Sequence, residues 1–504
     1  MYLPRFGKII KLAATWVILS VCYLIDTSVA TEEHNVDIVQ HDSPNKTRSN
    51  EGRRDVDRVL IIAGLSRDEQ EQKLPWLIEK ARDSQNADEQ FAAVWVLGRL
   101  DVSTPYLKSI LGLLIQNLSV SDDWIRGESA TAIERLCEDK LEFIPSPDQQ
   151  RIRDALIELT KDPNPWLRER AILALLPWRK QPSVQEALRT GFFDPVSWVR
   201  NASVRTGFRV EATPLFPQGI SDEGPDVRYV VVLHAKGPDG STPPPLRSLL
   251  VERLRDPSSP VVAETLHQLA ATKDRQLVKP ILDLLNIGWR NAVKIAIQEL
   301  TGDELEEVIA KTNWKPNERF ARDAPVRTRS DQELKDLLRR SRSENRLERI
   351  SSLPQLMWVN SPTVDKVFVD SLKDLDAVVR FLVLRVLSTQ TTMGLSGVIS
   401  TDLHEAVVRS LRDTNVHVLT SAAEVWGQLL RQPNSNVSQE TRTTVLQELR
   451  AIALRHGSGL VRAAASEALL HENVRDRPFW TKLLNDPFSE VRENARIALY
   501  KEQP

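Results

Sequence analysis

Asp162-Pro163-Asn164-Pro165-Trp166-Leu167-Arg168, followed by Ala171, Ala174 and Leu175, sets a register that returns along most of the chain. Counted from the Asp as position zero, an apolar residue falls at +5 and usually Arg at +6. A small or apolar residue follows at +9, with more at +12 and +13. Steps of three and four residues return to the same side of a helix, so these offsets trace one face. The same unit reads at Asp222/Val227/Arg228/Val231, at Asp374/Val379/Arg380/Val383/Val386/Leu387 and at Asp486/Val491/Arg492/Ala495/Ala498/Leu499. Zero positions at 162, 194, 222, 256 and 287 step by 32, 28, 34 and 31 residues, one two-helix module each. This predicts an all-α chain, an α-α superhelix or solenoid of about twelve helix pairs.

A chain of 504 residues has room for three conventional domains, but a repeat array grows by stacking, so length here counts repeats. Hydrophobic residues at 41%, charged residues at 27% and a formal charge of −2 describe a folded protein with no global bias toward polyanions. The N-terminus differs: Arg5, Lys8 and Lys11 precede an apolar run from Leu12 to Ile25, and Ser28-Val29-Ala30 puts small residues before Thr31. That pattern predicts a cleaved signal peptide over 1–30, its apolar run being shorter than the ~20 residues of a bilayer span. An uncleaved anchor, or a lipoprotein through Leu19-Ser20-Val21-Cys22, is the alternative.

The expected location is exported, periplasmic or extracellular. Loss of Arg5, Lys8, Lys11 and Asp26 takes 67 basic and 69 acidic residues to 64 and 68, a charge of −4. Only Cys137 then remains, so packing alone must hold the exported chain. Sequons at Asn45, Asn117, Asn201 and Asn436 matter only in a eukaryotic source.

Residues 31–55 are polar and aperiodic, a disordered leader by composition. Helical patterning over 56–311 predicts an N-terminal solenoid, and 331–504 predicts a C-terminal one. Between them, 312–330 breaks the rhythm with Pro316, Pro325 and several Arg residues, a linker. Tyr229–Leu233 is strand-like alone, yet Val227 and Arg228 hold the +5 and +6 positions, so register argues helix. Gly237–Pro245 is a proline-stiffened loop.

Asp162–Leu175, Asp194–Val204, His456–Leu469 and Asp486–Leu499 resemble HEAT repeats, specifically the short bacterial units of phycobilin-lyase HEAT-like type. The likeness covers roughly residues 84–500. It implies an armadillo-like α-α superhelix and says little about activity, because many functions use this scaffold. Asp-Pro at 162–163, 194–195, 256–257 and 486–487 suits a helix start, with the Asp as cap and Pro in the first turn. Arg at +6, seen at Arg126, Arg168, Arg200, Arg228, Arg380, Arg462 and Arg492, is expected to bridge to a neighbouring repeat. A ligand-facing basic stripe is the alternative.

Few constellations carry chemistry. The HEAT-repeat enzyme deoxyhypusine hydroxylase holds two irons through four His-Glu pairs, whereas only His404-Glu405 and His471-Glu472 occur here, and outside its register. Both are read as surface histidines, so no metal and no cofactor is expected. Export argues against chromophore-lyase activity, and Cys137 is expected to pack as a small apolar residue.

The local basic excess is Lys311–Arg349, twelve Lys/Arg against seven acids. It is a solvated helix and linker, or a contact for polysaccharide, lipid headgroups or an acidic protein; nucleic acid is not expected.

Trp124, Trp166 and Trp198 each stand immediately before the apolar-Arg pair of successive repeats. They form either a hydrophobic ladder closing the turns or an exposed aromatic track interleaved with Arg126, Arg168 and Arg200. These six are the candidate partner-binding residues; no catalytic set is evident. The function expected is an exported, non-enzymatic scaffold for protein-protein interaction. The alternative is a module that binds an envelope polymer or anionic surface through the Trp/Arg edge.

Overall fold

The second helix of a unit begins three residues after position zero: at Pro165, Ser197, Pro225, Ser259 and Arg290 in five successive units. In the computed structural model the described residues are 58–82, 86–207, 215–235, 244–316, 328–359, 361–393, 399–432, 436–471 and 476–501. They form about 25 α-helices and no strand. Tyr229–Leu233 lies in the helix Pro225–Leu233, as register required. The expected signal sequence and leader, most of the expected 237–245 loop and residues 317–327 of the expected linker fall outside the described residues. Among those described, no helix is long and apolar enough to cross a membrane.

The +5, +9 and +12 stripe is the seam of the stack. Leu167, Ala171 and Ala174 are fully buried, as are Val379, Val383 and Val386. Burial of Val, Leu or Ile contributes about 1.5–3 kcal/mol per side chain, and small residues at +9 let helix backbones approach closely.

The Asp at position zero is not the helix cap that the Asp-Pro pairs suggested. The helix begins at +3 whether or not Pro stands at +1, and the N-cap position is +2. Asn164, Asp376 and Asn415 accept hydrogen bonds from the N–H groups of Trp166, Val378 and His417. The Asp instead closes a turn by accepting from the +2 N–H, as Asp162 does from Asn164 at 2.8 Å and Asp194 from Val196 at 2.9 Å.

Its second role is to join repeats. Arg168 donates through Nε and Nη2 to the two carboxylate oxygens of Asp194, at 2.7 and 2.8 Å. Arg200 does the same to Asp222 at 2.9 and 2.7 Å, Arg380 to Asp413, and Arg462 to Asp486. Each guanidinium also donates Nη1 backward to the carbonyl at its own position zero. The planar fork thus ties the turn of its own unit to that of the next. At 256 and 287 the +6 residue is Val262 or Val293, and there a buried Arg253 faces Asp256 at 3.5 Å instead.

Packing divides the chain into two compact units. One contains Val231–Pro325, its remaining residues Met1–Arg48 lying outside the described chain; the other joins Ser49–Val230 to Val326–Pro504. This differs from a division into 56–311 and 331–504 about a 312–330 linker. The physical reason is that repeats before residue 230 and repeats after 330 bury their inner faces against each other.

Candidate interaction site

Position +4 lies in the first turn of the second helix and, in the discontinuous unit, shares the inner face with +7 and +11. In the first array +4 is Trp124, Trp166, Trp198 and then Asp226; in the second it includes Val378 and His417, with Phe381 at +7 and Arg385 at +11. Within the discontinuous unit these sets meet. The Trp124 ring stacks on His417 with centroids 4.1 Å apart and planes 15° from parallel, and meets Phe381 edge-on at 4.8 Å. Trp166 touches both Trp124, at 5.3 Å, and Phe381, at 5.6 Å. Phe91 packs edge-on against His417 at 4.4 Å. Trp166 is 6% and Trp198 4% exposed.

Charged groups complete the seam. Arg385 donates Nη2 to both oxygens of Glu169 at 2.6 and 2.7 Å, while its guanidinium lies 5.4 Å from the Trp198 ring centroid. Arg346 donates to Asp123 at 2.8 Å and also pairs with Asp376. Arg329 grips Glu223 through Nε at 2.9 Å, and Trp358 donates its indole N–H to Ser197 at 3.2 Å. Burial lowers Arg385 from its usual value, with Glu169 opposing that shift.

The six nominated residues are therefore engaged by the chain itself. Trp124, Trp166 and Trp198 are not an open track: Trp124 and Trp166 touch across neighbouring repeats, and the three also meet Phe381, Arg385 and His417 of the second array. Arg126 pairs with Asp162 and Asp123, and Arg168 and Arg200 are rungs of the ladder. The spacing of the Trp residues was visible in sequence. What covers them was not, although Phe381 and His417 sit in the matching register.

Other candidates resolve locally. His404 is 2% exposed beside Trp426, a core histidine and not the surface residue expected; His471 and Glu472 have side chains outside the described residues. Among the described residues no group of three or more His, Cys, Asp or Glu is arranged to hold a metal. Cys137 is fully buried, and burial pushes its thiol up to about 12. In the basic segment Arg329, Arg339, Arg346 and Arg349 all pair with carboxylates of the chain.

Two titrating groups flank the seam with opposite signs. Burial drives the Asp226 carboxyl up to about 7 against the pull of Arg200. Crowding from surrounding protein, with the Trp124 and Phe91 rings in contact, drives His417 down to about 3. The unfolded chain ionises Asp226 near 3.8, so stability contributed there is full below that pH and is lost as pH rises to about 7. For His417 the stability is full above 6.5 and is lost as pH falls toward about 3. Asp226→Asn should flatten the first slope and His417→Phe the second, read as denaturation midpoints at stepped pH. Unchanged slopes would mean that both groups titrate as they do in water.

Helix pairs joined by an Arg-Asp ladder define an α-α solenoid. The chain is similar to an engineered protein at 15% identity, over 85% of this chain and 98% of that one, with a TM-score of 0.28. It is similar to Escherichia coli YibA at 19% identity, over 54% and 94% of the two chains, with a TM-score of 0.38. Kap95, solved in a complex with Nup1, is 11% identical over 89% of this chain and 67% of its own, with a TM-score of 0.40. No family model matches the sequence, and no curated protein does.

Proposed function

We propose that the protein is an exported, non-enzymatic scaffold that holds other proteins on the outer helices of its repeats, which we class with the short phycobilin-lyase HEAT-like units. One observation carries this reading: the Arg-Asp ladder and the inner-face seam engage the repeat-encoded polar and aromatic groups within the chain. The outer helices are then the surface left to vary. Export rests on the basic-apolar-small pattern of residues 5–30. The envelope-polymer alternative needed an exposed Trp/Arg edge, and burial of Trp166 and Trp198 removes its support.

A photo-crosslinking amino acid placed at Phe143, on the outer surface, should yield discrete protein adducts in the native source. The same group at Trp198 should yield none. Adducts confined to carbohydrate, or no adducts at any outer position, would overturn the scaffold reading.

A further inference from the structure

Between the outer helices Thr104–Asn117 and Ser146–Leu159 lies a groove of about 590 Å³. Its floor is apolar, formed by Leu107, Leu111 and Ile152, and the short 3-10 turn Leu141–Phe143 sets Phe143 on its rim with 55% of its surface exposed. Gly112 lies in the middle of the first helix and lines the groove, and a Cβ built there meets no atom within 4 Å. A mid-helix glycine is entropically disfavoured, and at Gly112 no close packing inside the chain compensates it. Such a position is suited to close approach by a second backbone.

Among the described residues the rim carries Arg82, Lys108 and Arg151 against one acid, Asp148. Lys108 and Arg151 stand 3.7 and 4.0 Å from Asp148, yet their side chains are 77% and 69% exposed, so the rim keeps a net positive charge facing water. An occupant must therefore offer an apolar ridge flanked by carboxylates. The two neighbouring helix walls accept a third helix by ridge-into-groove packing, and a volume of this size takes several apolar side chains.

We propose that this groove docks an acidic amphipathic helix of a partner protein, with Gly112 admitting the helix backbone, Phe143 closing over its apolar ridge and Lys108 and Arg151 pairing its flanking acids. This rests on the scaffold reading and assigns that function a location.

The test uses the full chain and a fluorescein-labelled synthetic helix with Leu at i, i+3, i+4 and i+7 and Glu on both flanks. Saturable binding by anisotropy is expected, strong at low ionic strength and weak at high. Gly112→Leu, which fills the groove, and Phe143→Ala should each weaken it about tenfold or more, one large hot-spot loss. Lys108→Glu with Arg151→Glu should do likewise, and a Lys-flanked version of the peptide should not bind. Circular dichroism should show Gly112→Leu folded with a midpoint no lower than the parent chain; because Phe143 is exposed, Phe143→Ala keeps the test decisive if it is not.

Failure of the Glu peptide to saturate, equal binding by Gly112→Leu, or equal binding of the Lys peptide would overturn the proposal. Concentration-dependent self-association lost in Gly112→Leu would assign the groove to a second copy and overturn it as well. Outer-surface crosslinks that persist while the Glu peptide fails to bind the parent chain would overturn the groove alone and leave the scaffold standing.

Discussion

Arg200→Ala is expected to lower the stability of the folded chain by about 3–5 kcal/mol, the usual result of removing one member of a buried ion pair. Arg200 is 6% exposed and its partner Asp222 is 6% exposed. Its guanidinium serves both oxygens of Asp222, reaches Glu223 at 3.3 Å and caps the carbonyl of Asp194 at 2.7 Å. Deleting it leaves the Asp222 carboxylate without its charge partner, since the remaining donor there is the Gly224 N–H at 2.8 Å.

Arg200→Lys should recover only part of the loss, because one ammonium cannot span two oxygens and a carbonyl behind it. Arg492 is the control: among the described residues it makes carbonyl contacts to Asp486 and Pro487 and pairs with no carboxylate. Arg492→Ala should cost about 1 kcal/mol. Chemical denaturation of the three variants decides the matter; equal small losses would show that the ladder contributes no more than ordinary surface pairs.

The second large effect is expected at Trp166→Ala, at about 3–5 kcal/mol. This indole lies across two interfaces. Its benzo edge sits over Gly127 of the preceding repeat, where even a methyl group would come within 2.3 Å of the ring, and it meets Phe381 of the second array. A double-mutant cycle with Phe381→Ala should give a coupling of about 0.5–1.5 kcal/mol, the range for aromatic pairs beyond simple burial. Limited proteolysis should also find the second array more readily cut in Trp166→Ala, since the seam is among the contacts joining it to the first. Strict additivity with unchanged cleavage would mean that the two arrays are held elsewhere.

Much of this architecture is local and so can be read from one sequence. The +5, +9 and +12 stripe, the length of each module and the forward reach of the +6 Arg all follow from helical periodicity and from Asp placed at a fixed offset. Two features escaped. The Asp was assigned to the helix cap because Asp before Pro is a good start signal, but the helix opens at +3 with or without that Pro, and the cap falls to Asn164 or its equivalents at +2.

The inner-face seam escaped for a different reason. Glu169 and Arg385 are 216 residues apart, and Asp123 and Arg346 are 223 apart; no periodic pattern encodes a pairing at that distance. Three tryptophans at +4 announced a large apolar face, and His417 and Phe381 in register were its complement. Sequence alone does not say which array would close over which. For the same reason the outer groove was invisible: Gly112 and Phe143 acquire meaning only once their helices are side by side.

The ladder also bears on how such a chain lengthens or shortens. Every rung is the same donor and the same acceptor, so excising the 28 residues from Asp194 to Ser221 would bring Arg168 onto Asp222 with an equivalent bond. Lengthwise, whole modules are interchangeable parts. Crosswise they are not: removing that module would slide every later residue of the first array one step past its opposite number. Gain or loss of a module on one side is therefore tolerated only when the facing side changes with it.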